Sequence, residues 1–150
     1  VNVMIILLSP AKTLDFENPA VEKTCTEPEF LSLSKNLIAG LSKMSNEEIS
    51  KLMGISEKLS ALNSERYKSW NVKHESKNSK QAILAFKGDV YEGMKAWDYT
   101  KDDFTFAQKN LRLLSGLYGL LRPLDLIQHR DRFDRSFLHG HRLRRRLQKI

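Results

Sequence analysis

The sequence predicts a mixed α/β protein of the α+β kind, and three observations carry that expectation. Continuous apolar runs near residues 4–8, 82–86 and 117–121 are too short for core helices and end at turn-forming residues, the pattern of buried strands. One-sided helical periodicities lie between them. Residues 45–70, SNEEISKLMGISEKLSALNSERYKSW, read as two helices joined by a very tight turn.

Taken in order, Val3 to Leu8 is apolar without interruption and ends at Ser9-Pro10. A strand buried on both faces has this composition. The loop that follows, Ala11-Lys12-Thr13-Leu14, occupies a place where α/β proteins often hold ligands. Lys12 is either an anion ligand there or a surface lysine on a turn. The stretch lacks the glycines and the Gly-Lys-Ser/Thr of a Walker loop. Residues 15–28 are irregular and acidic. Glu29 to Lys43 is amphipathic, with Phe30, Leu33, Leu37, Ile38 and Leu41 on one face.

In the hairpin, Ser45 and Glu48 form a capping box that starts the first helix. Gly54 stops it, because glycine reaches positive φ without a Cβ clash. Ser56 caps the second helix, whose expected apolar face is Ile55, Leu59, Leu62 and Tyr67. The N–H groups of Gly54, Ile55 and Ser56 then stand at a helix N-terminus, where phosphate is attracted. Apolar-Gly-apolar-small before a helix resembles the helix-hairpin-helix element of DNA repair proteins, which grips backbone phosphates without reading bases. Ser56 replaces the usual second glycine, Met53 the usual proline, and Glu57 faces any bound phosphate unfavourably. An ordinary helical hairpin packed on a core has the same spacing.

Residues 71–80, NVKHESKNSK, are polar and with Arg66, Lys68 and Lys87 form a basic cluster beside Tyr67 and Trp70. Such interleaving suits a nucleic-acid surface, and equally a solvated linker. The run Gln81 to Phe86 is the second expected strand, broken at Lys87-Gly88-Asp89. Val90 to Trp97 reads as a short helix. Thr100 or Asp102 caps a stronger one, with Phe104, Ala107, Leu111 and Leu114 at helical spacing. Ser115 to Leu121 is a third apolar segment, punctuated by two glycines and ended by Arg122-Pro123.

Composition narrows the function classes. The chain has 150 residues, 41% hydrophobic, with one cysteine, Cys25, and no apolar run of membrane-spanning length. A cytoplasmic protein is expected. The net charge of +7 is unevenly placed: −3 over 1–65, +5 over 66–87, −1 over 88–128 and +6 over 129–150. The two basic segments need separate explanations. No catalytic constellation is present, His74 stands apart, and His139 with His141 lacks the further ligands a metal requires. No cofactor and no metal are expected.

Four stretches, MIILLSPAKTLDF (4–16), LMGISEKLSALNSERY (52–67), QAILAFKGDVYEG (81–93) and FAQKNLRLLSGLYGLLRPLDLIQ (106–128), together resemble the YaaA family. The resemblance covers 4–128. It implies a cytoplasmic α+β protein with a basic cleft that binds double-stranded or branched DNA through the helix-hairpin-helix. It also implies a role in limiting damage from peroxide and unincorporated iron. Gly54, Ile55 and Ser56 are the backbone-contact positions that the resemblance implies, Lys58 beside them is a further candidate DNA-binding residue, and Lys12, Lys87 and Arg122 are candidate cleft residues. No enzymatic reaction follows from it.

Residues 129–150, HRDRFDRSFLHGHRLRRRLQKI, depart from the family pattern. An abrupt switch to Arg/His-rich sequence is what a frameshifted reading produces. The domain is then expected to be incomplete, with residues 1–128 its N-terminal part. A basic tail or an amphipathic terminal helix is the alternative. Two other functional readings compete with DNA binding: an enzyme or binder acting on a phosphorylated or nucleotide ligand between the loops at Lys12 and Lys87, and an inactive fragment.

Overall fold

A computed structural model describes residues 4–128. The mixed α+β expectation holds, with helices and several small sheets and, among the described residues, no closed barrel. β1 (Ile6–Leu8) is followed by β2 (Thr13–Leu14), α1 (Leu31–Leu41), α2 (Asn46–Met53) and α3 (Glu57–Lys68). Then come β3 (Ser79–Gln81), α4 (Ala82–Ala85), β4 (Phe86–Lys87), α5 (Asp89–Met94), a 3-10 turn (Ala96–Asp98) and α6 (Lys101–Asn110). β5 (Leu111–Ser115), β6 (Gly119–Leu121) and β7 (Leu126–Gln128) complete the described chain.

β5 lies between β1, to which it is parallel, and β6, to which it is antiparallel. β2 pairs antiparallel with β4, and β3 with β7. The expected strands at 4–8 and 117–121 thus share one sheet, but 82–86 does not join it. Residues 82–85 form one helical turn instead, between the strands β3 and β4. Ala82 N donates to Asp125 O and Ile83 N to Pro123 O, which anchors that turn on the segment before β7. The run is buried as expected, and a short apolar run suits either conformation.

Two further expectations are corrected. The helix starting at the Thr100 cap ends at Asn110, and Leu111 and Leu114 belong to a strand. The Arg112 guanidinium donates to the carbonyls of Gln108 and Leu111, satisfying acceptors that the helix end leaves open. The N-terminal run is not buried on both faces: Met4 is 65% and Leu7 59% exposed. Among the described residues β1 is an edge strand, and of its residues only Leu8 reaches the core.

The main core gathers α1, α2 and α3 with Phe86, Leu113, Tyr118, Leu121 and Ile127. α1 buries Leu31, Ser34, Ile38 and Leu41, spaced i, i+3, i+7, i+10, and leaves Leu33 outside. A smaller cluster joins Ile83, Ala96, Phe104, Ala107, Leu111 and Leu124. Among the described residues no helix is long and apolar enough to cross a membrane.

Candidate nucleic-acid interface

The hairpin has the expected capping. Ser45 Oγ accepts from Glu48 N at 3.2 Å, and Glu48 Oε2 accepts from Ser45 N at 2.8 Å. Gly54 closes α2 in the left-handed region (φ 63°, ψ 40°), and Ser56 caps α3 through Leu59 N. The donors differ from the expectation. Gly54 N and Ile55 N both donate to Ser50 O, at 2.8 and 3.3 Å, while Ser50 Oγ donates to Ile55 O at 2.6 Å. The turn therefore satisfies itself, and its first two N–H groups are spent inside it. The outward donors shift to the first turn of α3, at Glu57 and Lys58, which no intrahelical carbonyl can reach.

The buried face of α3 is also different. It consists of Ser60, Asn63, Ser64 and Tyr67, whereas Leu62 is exposed. Ser60 Oγ donates to Glu57 O, so this small-residue face lets the helices approach closely while the Ser60 hydroxyl stays satisfied. Tyr67 donates to Met53 Sδ across the hairpin at 3.3 Å.

The segments that carry Lys12 and Lys87 are brought together. Thr13 faces Lys87 in the β2–β4 ladder, so the loop after β1 lies against the loop after β4. Asp15 N extends the pairing to Ala85 O at 2.7 Å, and Tyr91 Oη donates to Ser9 O at 2.6 Å. Both lysines are exposed. Arg122 is placed elsewhere and is committed internally. Its Nε and Nη2 donate to Asp125 Oδ1, its backbone N to Asp125 Oδ2, and Nη2 also to Glu27 O. Asp125 is fully buried and also accepts from Thr26 Oγ1 at 2.6 Å. Arg122 thus neutralises a buried carboxylate.

The basic cluster of residues 66–87 offers no stacking platform. Tyr67 is buried, and Trp70 turns inward to donate from Nε1 to Tyr118 Oη. Lys73 and Lys77 both pair with Glu75, and Lys80 is buried rather than displayed. Lys80 Nζ donates to the carbonyls of Asp15 and Asn18 at 3.0 and 2.9 Å, which pins the 15–19 turn onto β3. Burial lowers the Lys80 pKa, and nearby Asp15 partly opposes that.

Sequence reading placed Lys80 in the displayed basic cluster, which its burial corrects, and it did not anticipate the cavity of about 650 Å³ that Lys80 lines together with Asp15, Lys87, Leu84 and Trp97. The only available signal was a lysine immediately before an apolar run. Among the described residues no three His, Cys, Asp or Glu side chains are grouped to hold a metal. His139 and His141 lie outside the described residues.

Fold and site together define an α+β protein that carries a capped helical hairpin and, on a separate ladder, two adjacent lysine-bearing loops. A family model described as peroxide stress protein YaaA matches residues 4–134. The chain belongs to that family and is a peroxide stress response protein. The match runs past Gln128; residues 129–150, on which the expectations of a frameshift and of a terminal helix fall, lie outside the described residues.

Proposed function

We propose that this peroxide stress protein acts in the cytoplasm by binding double-stranded or branched DNA through its backbone, shielding it from damage driven by peroxide and unincorporated iron. One observation carries the reading: Gly54 in the left-handed conformation delivers the chain, within Gly54-Ile55-Ser56, into the N-terminus of the twelve-residue helix α3. The positive end of the helix dipole and the open N–H groups of its first turn favour a phosphate there. Lys58, exposed in that turn, adds charge. Gly54, Ile55 and Ser56 act by shaping the turn. Lys12 and Lys87 supply a second basic contact. Phosphate contacts of this kind position DNA without reading its sequence.

The test is titration of the full chain with duplex and four-way-junction DNA of unrelated sequences. Similar affinity across sequences is expected, with a loss in Gly54→Val that Gly54→Asn largely avoids. Equal affinity of Gly54→Val and the parent chain overturns the hairpin contact.

A further inference from the structure

The cavity beside β4 has a chemistry of its own. Its volume, about 650 Å³, lies within the usual ~300–1000 Å³ of small-molecule sites. Val21, Leu84, Phe86 and Trp97 supply apolar wall, and Asp15, Asn18, Lys80, Lys87 and Glu92 supply the polar atoms. Two acids and two lysines balance, so a bare phosphate gains no net attraction. The wall suits a planar apolar body with a polar edge.

Trp97 is 51% exposed, although it follows Ala96, which is 2% exposed. Its backbone is fixed while its ring stays available for stacking. Lys95, two residues earlier, holds a left-handed conformation (φ 50°, ψ 49°), the only non-glycine to do so among the described residues. Strain of this kind concentrates at ligand sites. The polar edge is equally specific. The Lys80 side chain is 8% exposed, and its ammonium has three hydrogens, two of them given to the Asp15 and Asn18 carbonyls. The Asp15 carboxylate stands 4.0 Å from Nζ, beyond hydrogen-bond reach, which leaves the third hydrogen for an acceptor. Asn18 gives its amide Nδ2 to Asp15 Oδ2 and keeps Oδ1 as an acceptor. Lys80 and Asn18 both line the cavity, so its wall carries a donor and an acceptor.

We propose that this cavity binds a nucleobase, stacked on Trp97 and met at its edge by the Lys80 ammonium and the side-chain oxygen Oδ1 of Asn18. Lys87 stands at the wall for the attached phosphate. The base comes either from a free nucleotide or from an unpaired position in DNA, and the second source rests on the DNA-binding reading above.

The experiment uses the full chain and separates the two sources. Deoxyadenosine monophosphate is titrated by calorimetry, with deoxyribose phosphate and inorganic phosphate as base-free probes. In parallel, a duplex carrying one unpaired 2-aminopurine is compared by fluorescence with the same duplex fully paired. Binding of the free nucleotide but not of the base-free probes identifies a nucleotide site. Quenching of the unpaired base without nucleotide binding identifies an extruded-base site. In either case Trp97→Ala is expected to weaken binding on the order of tenfold, and Val21→Trp, which fills the rim, to block it. Affinity for fully paired duplex should be the same in both variants, so failure here leaves the DNA reading intact. If neither probe binds, or if both variants bind like the parent, the proposal is overturned.

Discussion

The Tyr118 hydroxyl donates to Nε2 of His74 across 2.8 Å, deep under the turn that leads into β6. The direction follows from the other ring nitrogen: Nδ1 faces the Val72 carbonyl at 3.0 Å, which can only accept, so Nδ1 carries the hydrogen. Tyr118 is fully buried, and its oxygen also accepts from Trp70 Nε1 and Gln128 N. One hydroxyl thus ties the segment after α3 to the strands β6 and β7.

This bond needs a neutral imidazole. Burial lowers the His74 pKa from its usual 6.5. The unfolded chain binds that proton more readily, so stability is complete above 6.5 and declines as pH falls toward the folded value. Urea denaturation at pH ~7.5 and ~5 should show the loss, and His74→Phe should reduce it. An unchanged pH dependence in that variant would place the proton elsewhere.

Tyr118→Phe keeps the ring and deletes the hydroxyl that His74, Trp70 and Gln128 share. Leaving such buried groups unmatched costs about 1–3 kcal/mol. A fall in the urea midpoint at unchanged slope is the expected outcome.

At Gly54 a Cβ would meet nothing within 4 Å, so the backbone alone sets the cost of substitution. Gly54→Ala should lose about 1–2 kcal/mol, the left-handed penalty, and Gly54→Asn less. Equal losses for both variants would mean that the turn relaxes.

Salt and substitution together separate the candidate cations. Lys12→Ala and Lys87→Ala should each flatten the slope of log affinity against log salt by about one unit at most, with folding unaffected because both are exposed. Arg122→Ala should instead destabilise. It strips Asp125 of its charged partner, costing about 1.5–3 kcal/mol, toward the lower end because Arg122 is 36% exposed. An Arg122→Ala chain of full stability but weaker DNA binding would reverse that assignment.

Residues 129–150 carry +6 of the net +7 charge, and arginine-rich segments bind nucleic acid without a fold. A peptide of that sequence should therefore bind duplex DNA weakly and with steep salt dependence. The full chain should add a component sensitive to Gly54→Val. If the peptide matches the full chain at every salt concentration, the hairpin contributes nothing.

Sequence alone determined the local features. Ser45, Glu48, Gly54, Ser56 and Thr100 announced their caps because capping is a contact between residues a few positions apart. The loops at Lys12 and Lys87 were legible as polar breaks after apolar runs, and the family was legible from four motifs. Tertiary structure decided what those features do. Helical spacing at 104, 107, 111 and 114 gave way at Leu111 because β1 supplies a parallel partner for β5, a contact over a hundred residues long in sequence. The run 82–85 coiled because Pro123 and Asp125 accept its N–H groups. Arg122 became a clamp because Asp125 is buried beside it, and Lys80 turned inward because the 15–19 turn offers it two carbonyls. The partners of β5, of the 82–85 turn and of Lys80 are distant in sequence, and although Asp125 is only three residues from Arg122, its burial and the Thr26 and Glu27 contacts that fix the pair come from far along the chain, which local propensity cannot encode.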